Sequence, residues 1–276
     1  MMKPSKIILS LLFVLVLSSC LLVPREYVDL ETRTLDAVDI RSVFIRINHG
    51  ELLMLGTESG QLEVGGQASF PDEMDIHNYD SDGQMVMDIE DRHSGIFENF
   101  IRVKILVPNQ MKVIVETDSA SVHVQDYFGD VEVASTSGNV IVENTIGELK
   151  LRSNRGNITV RRCSGRISVV GNYGTLSMQD THGETGISTI MGTVAFIGMI
   201  QDGDNIDLET DHGLVGVDLQ SNSTLEVSAH STSGDVTCLI PNLSSTTRSC
   251  EGQIGDGGGV LNIRTVSGAV TIRLLP

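Results

Sequence analysis

The chain has 276 residues and a formal net charge of −17, because 36 Asp and Glu outnumber 19 Lys and Arg. This acidity argues against nucleic acid or an anionic membrane surface as a partner, since both repel negative charge. Tryptophan is absent and aromatic residues make up 4% of the chain, which disfavours a groove that binds carbohydrate by ring stacking.

The first nineteen residues have the pattern of a secretory signal. Lys3 and Lys6 give a positive start, and residues 7–17 form an apolar run that is too short to span a bilayer. The run ends in Leu17-Ser18-Ser19-Cys20, which resembles a bacterial lipobox, where cleavage precedes the cysteine and its thiol receives a diacylglycerol. An ordinary signal peptide followed by an incidental cysteine is the alternative.

We therefore expect residues 1–19 to be removed and residues 20–39 to hold a lipidated Cys20 and a tether. The remaining chain has 17 Lys and Arg against 36 Asp and Glu, a net charge of −19. The predicted location is extracytoplasmic, with the lipid anchored in a bacterial cell membrane or outer membrane. No later segment has the length of a membrane span.

Residues 40–116 contain several short runs in which apolar and polar residues alternate, as in 101–107 and 111–116. This alternation is typical of half-buried strands. Turn-forming residues at 48–50 and 80–83 separate the runs, and no helical periodicity occurs. We expect an N-terminal β region that caps or continues the structure that follows it.

From residue 117 a nine-residue period dominates the sequence. A small residue is followed by apolar side chains two and four positions later, and only Thr185 breaks this rule in the regular part. The small residues are Ala120, Gly129, Gly138, Gly147, Gly156, Gly165, Gly174, Gly183 and Gly192. A fixed period indicates a repeat architecture, because one coil cannot bury its own apolar row and must stack on its neighbours.

The period predicts an all-β fold, a single-stranded parallel β-helix (β-solenoid) over residues 117–276 with about 18 residues per coil. Small residues at the corners permit tight bends. Residues 239–258 interrupt the period as an insertion, and Gly259 resumes it. Parallel crossovers are nearly always right-handed, so we favour a right-handed solenoid. The left-handed hexapeptide helix, which has coils of the same length, is the alternative.

A family resemblance rests on three stretches. Arg102-Val-Lys-Ile-Leu-Val-Pro-Asn-Gln-Met-Lys-Val-Ile-Val leads into the repeat, and Ser135-Thr-Ser-Gly-Asn-Val and Ser231-Thr-Ser-Gly-Asp-Val carry its motif. Residues 40–276 thereby resemble the bacterial DUF4097 adhesin-like family, which is related to head-GIN domains. The resemblance implies a β-solenoid at the cell surface or envelope, and it assigns no role to a particular residue. Ala120 departs from the motif, which has Gly there.

One cysteine precedes the insertion and another lies within it. Cys238 and Cys250 are twelve residues apart in a chain that we expect to be exported, so a disulfide between them is predicted, with two free thiols as the alternative. Cys163 lies two residues before a corner and is expected to be a small core residue. No cysteine and histidine spacing suits zinc.

A column of hydroxyl side chains lies three residues before alternate corners. It could form a polar strip for a glycan, or it could hydrogen-bond to the corner backbone, and we favour the second interpretation. Its members are Thr117, Ser135, Ser153, Thr189, Thr210, Ser231 and Thr265, with Gly171 as the exception.

Asp202, Asp204 and Asp207 are weak candidates for a calcium loop. The segment lacks the Gly at position six and the Glu at position twelve of an EF-hand loop, so a solvated turn is the preferred interpretation. No other pattern indicates a metal or cofactor, and no pair of carboxylates or Ser/His/Asp set indicates catalysis. We expect no cofactor and no enzymatic activity.

The predicted function is adhesin-like binding or display by a lipid-anchored envelope protein. The candidate partners are the membrane, through the lipid, and an envelope glycan or a surface protein. Two alternatives remain. A structural scaffold could dock a protein by strand addition, with residues 239–258 as the docking point. A carbohydrate-active enzyme is possible only because β-helices include such enzymes.

Overall fold

A computed structural model describes residues 27–94 and 99–275. Cys20 and the proposed signal lie outside these residues. The described chain is all-β, with one 3-10 turn at Pro71–Glu73 and no α-helix. The predicted fold class is confirmed: the strands form the long parallel sheets of a β-solenoid. The handedness of the coil stays a prediction.

Twenty-five strands occur in the described residues. In chain order they are β1 (Val28–Asp36), β2 (Ser42–Ile47), β3 (Glu51–Thr57), β4 (Gln61–Ala68), β5 (Met74–Ser81), β6 (Gln84–Asp91), β7 (Ile101–Pro108), β8 (Lys112–Thr117), β9 (Ser121–Gln125), β10 (Val131–Ser135), β11 (Val140–Glu143), β12 (Ile146–Ser153), β13 (Ile158–Arg161), β14 (Ser164–Gly171), β15 (Thr175–Gln179), β16 (His182–Thr189), β17 (Thr193–Gly198), β18 (Asn205–Thr210), β19 (Leu214–Leu219), β20 (Leu225–Ser231), β21 (Val236–Leu239), β22 (Ser244–Ser245), β23 (Ser249–Ile254), β24 (Gly259–Thr265) and β25 (Val270–Leu274).

The strands form two sheets. Sheet 1 has the order β1-β4-β7-β3-β9-β11-β13-β15-β17-β19-β25-β21, and sheet 2 has the order β22-β23-β20-β24-β18-β16-β14-β12-β10-β8-β2-β6-β5. Each coil gives one strand to each sheet. In the regular part every strand residue pairs with the residue two nine-residue periods later, as in Val122 beside Val140 beside Ile158. The predicted coil length is therefore the observed one.

The core lies between the two sheets. The second and fourth residues after each corner point inward, as Val140 and Val142 do with 0% exposure. Successive side chains of a strand point to opposite faces, so the residues between them face solvent. Each buried aliphatic side chain contributes about 1.5–3 kcal/mol, which explains why a repeat of small corners and apolar pairs is sufficient to specify the stack.

The hydroxyl column is a buried hydrogen-bonded ladder. Thr210 Oγ1 accepts a hydrogen bond from the backbone N–H of Gly213 at 3.0 Å, and Ser153 Oγ accepts one from Gly156 at 2.8 Å. Both side chains are less than 5% exposed. The column therefore satisfies corner backbone groups, as we expected, and does not form a surface strip.

At both ends the coils are not stacked in chain order. The first strand pair, β2 and β3, lies between the pair β6 and β7 and the pair β8 and β9. The last pair, β24 and β25, lies between the pair β18 and β19 and the pair β20 and β21. Sequence periodicity alone suggested a sequential stack.

Antiparallel strands cover both ends of the stack. β1 and β4 extend sheet 1 and β5 extends sheet 2 at the N-terminal end, while β23 pairs with β20 at the other end. The insertion also bonds the free backbone of the last coil, because Val236 N–H donates to Thr247 O and Ser231 N–H donates to Arg248 O. The insertion therefore protects strand edges that would otherwise be open to pairing.

Candidate functional site

The outer face of sheet 2 carries a shallow groove that runs across the strands. Two depressions, with volumes of about 530 and 520 Å³, share Val170 in their walls. Together they reach from Arg46 on β2 to Arg264 on β24. These two strands are seven strand spacings apart, so the outer groove is about 34 Å long.

Alternation along each strand positions the groove's side chains. Their neighbours in the same strand point into the core and fix the register, so these polar residues must point outward. The first depression lies over Ala134, and its walls contain Arg46, Asn48, Arg152 and Asn154. A small floor residue between long side chains creates a trough that is open to solvent along its length.

The second depression lies over Gly186 in the middle of β16. A Cβ at this glycine would meet no heavy atom within 4 Å, and its φ is outside the left-handed region, so neither packing nor backbone conformation requires glycine. Glycine within a strand costs about 0.5–1 kcal/mol relative to Ala. It often marks a place where a ligand approaches the backbone closely.

Three of the four carboxylates that line the groove, all except Asp118, have polar partners. Glu209 Oε1 is 3.0 Å from Arg264 Nη1, and Asp207 Oδ1 accepts a hydrogen bond from Asn262 Nδ2 at 2.8 Å. Glu116 Oε2 lies 3.9 Å from Arg46 Nε. A surface of paired charges and amides suits recognition of a polar ligand by hydrogen bonds.

Sheet 1 presents a flatter outer face. From β13 to β21 its middle outward column consists only of small residues: Thr159, Ser177, Ala195, Gly216, Thr271 and Thr237. Gly216 resembles Gly186, since a Cβ there also meets nothing within 4 Å. Because its neighbours in the column are all small, Gly216 is a matched reference for Gly186 on the opposite face.

An exposed apolar corner borders the outer groove. Six of the fourteen large apolar side chains exposed in the described residues lie at this corner, on four adjacent coils. They are Val170, Tyr173, Ile190, Met191, Leu214 and Val266. The preceding coils have polar residues at the same turn, such as Thr136 and Ser137, so an apolar turn is not required by the fold.

The structure does not assemble the three calcium candidates. Asp204 is 5% exposed, and its carboxylate accepts hydrogen bonds from the backbone N–H groups of Gly183 and Gln201 and lies 3.1 Å from His182 Nδ1. Asp207 bonds Asn262, while Asp202 is exposed on the preceding turn. Across residues 27–94 and 99–275, no group of three or more acidic, His or Cys side chains is placed to hold a metal.

The structure places Cys238 and Cys250 side by side. Cys238 on β21 and Cys250 on β23 are positioned as a disulfide pair, with Cα atoms 6.0 Å apart. Cys250 is fully buried. Cys163 is buried as a free thiol, and burial raises the pKa of this thiol, so it is a poor nucleophile. The disulfide itself stays a prediction.

Sequence reasoning did not identify the groove or the apolar corner. The available signal for the groove was Gly186, a glycine outside the corner positions of the repeat. The signal for the corner was Ile190-Met191, where other coils have polar turn residues. Neither signal shows which surface is concave until the coils are stacked.

The family model described as Toastrack DUF4097 matches residues 72–273, which is more than half of the chain. The chain belongs to the DUF4097 family. The expected resemblance is confirmed. A comparison with curated proteins found no match.

Solved structures similar to this DUF4097 protein include bacterial candidate adhesins. One from Parabacteroides distasonis is 10% identical, with a TM-score of 0.42 and coverage of 88% of this chain and 97% of that chain. One from Bacteroides fragilis is 10% identical, with a TM-score of 0.40 and coverage of 90% and 97%. A candidate cell adhesion protein from Clostridium sporogenes is 11% identical, with a TM-score of 0.31 and coverage of 91% and 100%.

These likenesses carry no functional assignment by themselves. In the part of the chain that the structure describes, no helix is both long and apolar enough to cross a membrane.

Proposed function

We propose that this DUF4097 protein is a non-catalytic envelope protein, anchored by a lipid on Cys20, that binds an elongated polar polymer along the outer groove. The rod-like stack would display the groove outside the membrane. An envelope glycan is the ligand class that we test first. The fold of the DUF4097 family is consistent with this role.

One observation carries the proposal. The groove is continuous over about eight strands and is floored by Gly186, a residue that the fold does not need at that position. A long shallow trough fits a linear chain better than a compact small molecule, since small-molecule sites are concave and bury most of their ligand. Amides and charge pairs along the trough can hydrogen-bond to hydroxyl or amide groups.

A binding role also agrees with the chemistry of the groove. Catalysis of glycan cleavage needs two carboxyl groups across a scissile bond, one able to donate a proton. Here the carboxylates of Glu209 and Asp207 are engaged by Arg264 and Asn262. We therefore expect retention of the polymer without turnover.

The test compares two arginine substitutions at equivalent glycines. Gly186→Arg fills the groove, and Gly216→Arg places the same side chain on sheet 1. Both sites have open space for a Cβ, so neither change strains the backbone. The chain from Leu21 onward is incubated with isolated envelope and with purified envelope glycans, and the dissociation constants are measured with and without calcium.

We expect saturable binding to a glycan by the wild type and by Gly216→Arg, and at least about tenfold weaker binding by Gly186→Arg, which is about 1.4 kcal/mol. Equal affinities of the two variants would contradict the groove. Release of new reducing ends, abolished by a single carboxylate substitution, would contradict the non-catalytic role. Calcium dependence of binding would reopen the assignment of Asp202, Asp204 and Asp207 as calcium ligands.

The apolar corner supports a second candidate, a scaffold that docks a protein partner. Contiguous exposed apolar side chains mark interaction sites more often than scattered ones do. Residues 239–258 are a weaker docking point than the sequence suggested, because their backbone is already bonded to the last coil. The double variant Ile190→Ser, Met191→Ser should lose its chemical cross-link to an envelope protein. The double variant Thr136→Ala, Ser137→Ala should retain that cross-link.

The lipid anchor has its own test. Cys20→Ser should move the protein from the membrane fraction to the soluble extracytoplasmic fraction and abolish incorporation of a labelled fatty acid. Membrane retention of this variant without incorporated lipid would show that another contact holds it.

A further inference from the structure

At the C-terminal end of the stack, the strand pair β24 and β25 occupies a position that the order of the chain does not explain. β24 and β25 separate two coils, residues 205–219 and 225–239, that are consecutive in the chain. Through the inserted pair, Ile206 aligns with Leu261 and then with Val227, and Val215 aligns with Val270 and then with Val236. The two outer coils therefore have the same sequence offset in both sheets.

That offset equals the offset of the preceding coil, which stacks directly. Thr185 pairs with Ile206 and Val194 pairs with Val215, so the step from 185 to 206 matches the step from 206 to 227. The coil at 225–239 consequently has the register needed to stack on 205–219 with no insertion. Its inward residues, such as Val227 and Val236, are also apolar and buried, so either coil can continue the core, although Leu261 and Ile263 of the inserted pair are larger.

The outward-facing residues favour the observed order over direct stacking. In the observed order Arg264 Nη1 is 3.0 Å from Glu209, and Arg273 forms a two-pronged contact with Asp218 at 2.5 and 2.8 Å. In addition, Asn262 donates to Asp207. The hydrogen bonds to Asp218 also raise the pKa of Arg273.

Direct stacking would lose all three contacts. By register, Asp207 would face Ser228, Glu209 would face His230 and Asp218 would face Leu239. The acidic column would then oppose hydroxyl, imidazole and apolar side chains instead of an amide and two guanidinium groups. Bidentate Arg–carboxylate pairs add geometric specificity as well as energy.

The N-terminal insertion has the same design. Arg46 on the inserted β2 lies 3.0 Å from Asp88 on one neighbour and 3.9 Å from Glu116 on the other. Glu51 on the inserted β3 pairs with Arg102 at 2.6 Å. At each end, the inserted pair thus carries charges opposite to those of at least one strand that flanks it.

We propose that Asp207, Glu209 and Asp218 are the recognition surface for the strand pair β24–β25, and that these side chains specify its insertion between the last two coils. The insertion also completes the outer groove, since Asn262 and Arg264 belong to the wall of its second depression. A chain that stacks its coils in sequence would lack that end of the groove.

Cysteine pairs can report the order of the strands in the full chain. Asn205 neighbours Val260, which neighbours Glu226, and all three face outward. Adjacent strands are about 4.8 Å apart and second neighbours about 9.6 Å apart. Because a disulfide needs Cα atoms within about 4.4–6.8 Å, Asn205→Cys can cross-link to Val260→Cys in the observed order and to Glu226→Cys only in the sequential order.

The decisive variant is Glu209→Arg with Asp218→Arg. After refolding and mild oxidation, peptide mass spectrometry should show the 205–226 cross-link at least about tenfold more often than in the wild-type background, because two attractions become repulsions. Adding Arg264→Glu and Arg273→Glu restores opposite charges. This four-fold variant should return to the 205–260 cross-link.

An unchanged cross-link pattern in the double variant would overturn the proposal. It would assign the order of the coils to the insertion at residues 239–258 alone. If the double variant does not fold, the four-fold variant still decides. Its 205–260 cross-link would support charge recognition, and the loss of that cross-link or predominance of 205–226 would refute it.

Discussion

At the scale of single residues, glycine has two separate roles in this chain. A Cβ at the corner residue Gly156 would overlap the carbonyl oxygen of Gly138, one coil earlier. A Cβ on the strand residue Gly186 would contact nothing. The first glycine is required by coil stacking, and we attribute the second to ligand access.

Alanine substitutions separate these roles. Gly156→Ala should lower the free energy of unfolding by about 2–4 kcal/mol, since the backbone of two coils must shift. Gly186→Ala should raise it by about 0.5–1 kcal/mol, because alanine loses less backbone entropy on folding than glycine does. Urea denaturation measures both, and a destabilised Gly186→Ala would contradict an unconstrained site.

Two buried threonines on β16 provide a second contrast. Thr189 Oγ1 accepts a hydrogen bond from Gly192 N–H, whereas Thr185 Oγ1 is buried without a hydrogen-bond partner. Thr189→Val should cost about 1–3 kcal/mol, because it leaves a buried N–H unsatisfied. Thr185→Val should stabilise by about 1 kcal/mol. Thermal denaturation of both variants checks the pair, and equal effects would contradict the ladder.

The carboxylate of Asp91 makes the stability of the N-terminal β region depend on pH. Burial raises the pKa of its carboxyl, but hydrogen bonds from Asn99, the His93 backbone and His49 outweigh burial, so the folded pKa lies below 3.8. Since the unfolded chain binds the proton more tightly, the stabilisation is present above about pH 3.8 and is lost as pH falls through the folded value.

Asp91→Asn should therefore cost about 1–3 kcal/mol at pH 7 and progressively less below about pH 3.8. The exposed Asp256→Asn serves as the control. Urea denaturation from pH 2 to 7 measures the difference, and a cost that does not change with pH would contradict a role for the charged carboxylate.

At the scale of elements, the sequence specifies each coil well. Corner spacing and apolar pairs correctly predicted the strands, the register between coils and the buried hydroxyl ladder. Side-chain partners on the surface were less predictable. Glu132 lies opposite Lys150 in register, yet its carboxylate contacts Lys112 on the other side, because long side chains can reach either neighbour.

The order of the coils could not be predicted from periodicity. Coils 205–219 and 225–239 have matching register, so the apolar pattern permits either stacking. The deciding contacts join residues that are far apart in the chain, such as Arg264 and Glu209. The groove was equally hidden, since it needs strands from both the first and the last parts of the chain.

The pairing of Cys238 with Cys250 at the C-terminal end of the stack yields a prediction about reactive thiols. In the chain from Leu21 onward, denatured without reductant, we expect one reactive thiol, Cys163, and three after reduction. Closing a loop of this length should stabilise the fold by about 2–4 kcal/mol, so reductant should lower the unfolding midpoint. Three thiols before reduction would show that Cys238 and Cys250 are not bonded.

At the scale of the whole molecule, the stacked coils form one long surface. The antiparallel strands β1, β4 and β5 cover the N-terminal end of the stack, and the groove extends from β2 toward the other end. A parallel stack with cross-coil ion pairs resists bending, so side chains along the groove keep a fixed spacing. Such a surface is suited to holding an extended polymer at many weak contacts.

The most direct test is site-specific photocross-linking on living cells. A photoreactive amino acid replaces Ser168 in the groove or Ser177 on the outer face of sheet 1, two exposed or half-exposed serines on neighbouring strands of the chain. We predict an envelope adduct from position 168 and none from position 177. Adducts of equal yield at both positions, or an adduct only from position 177, would contradict binding along the outer groove.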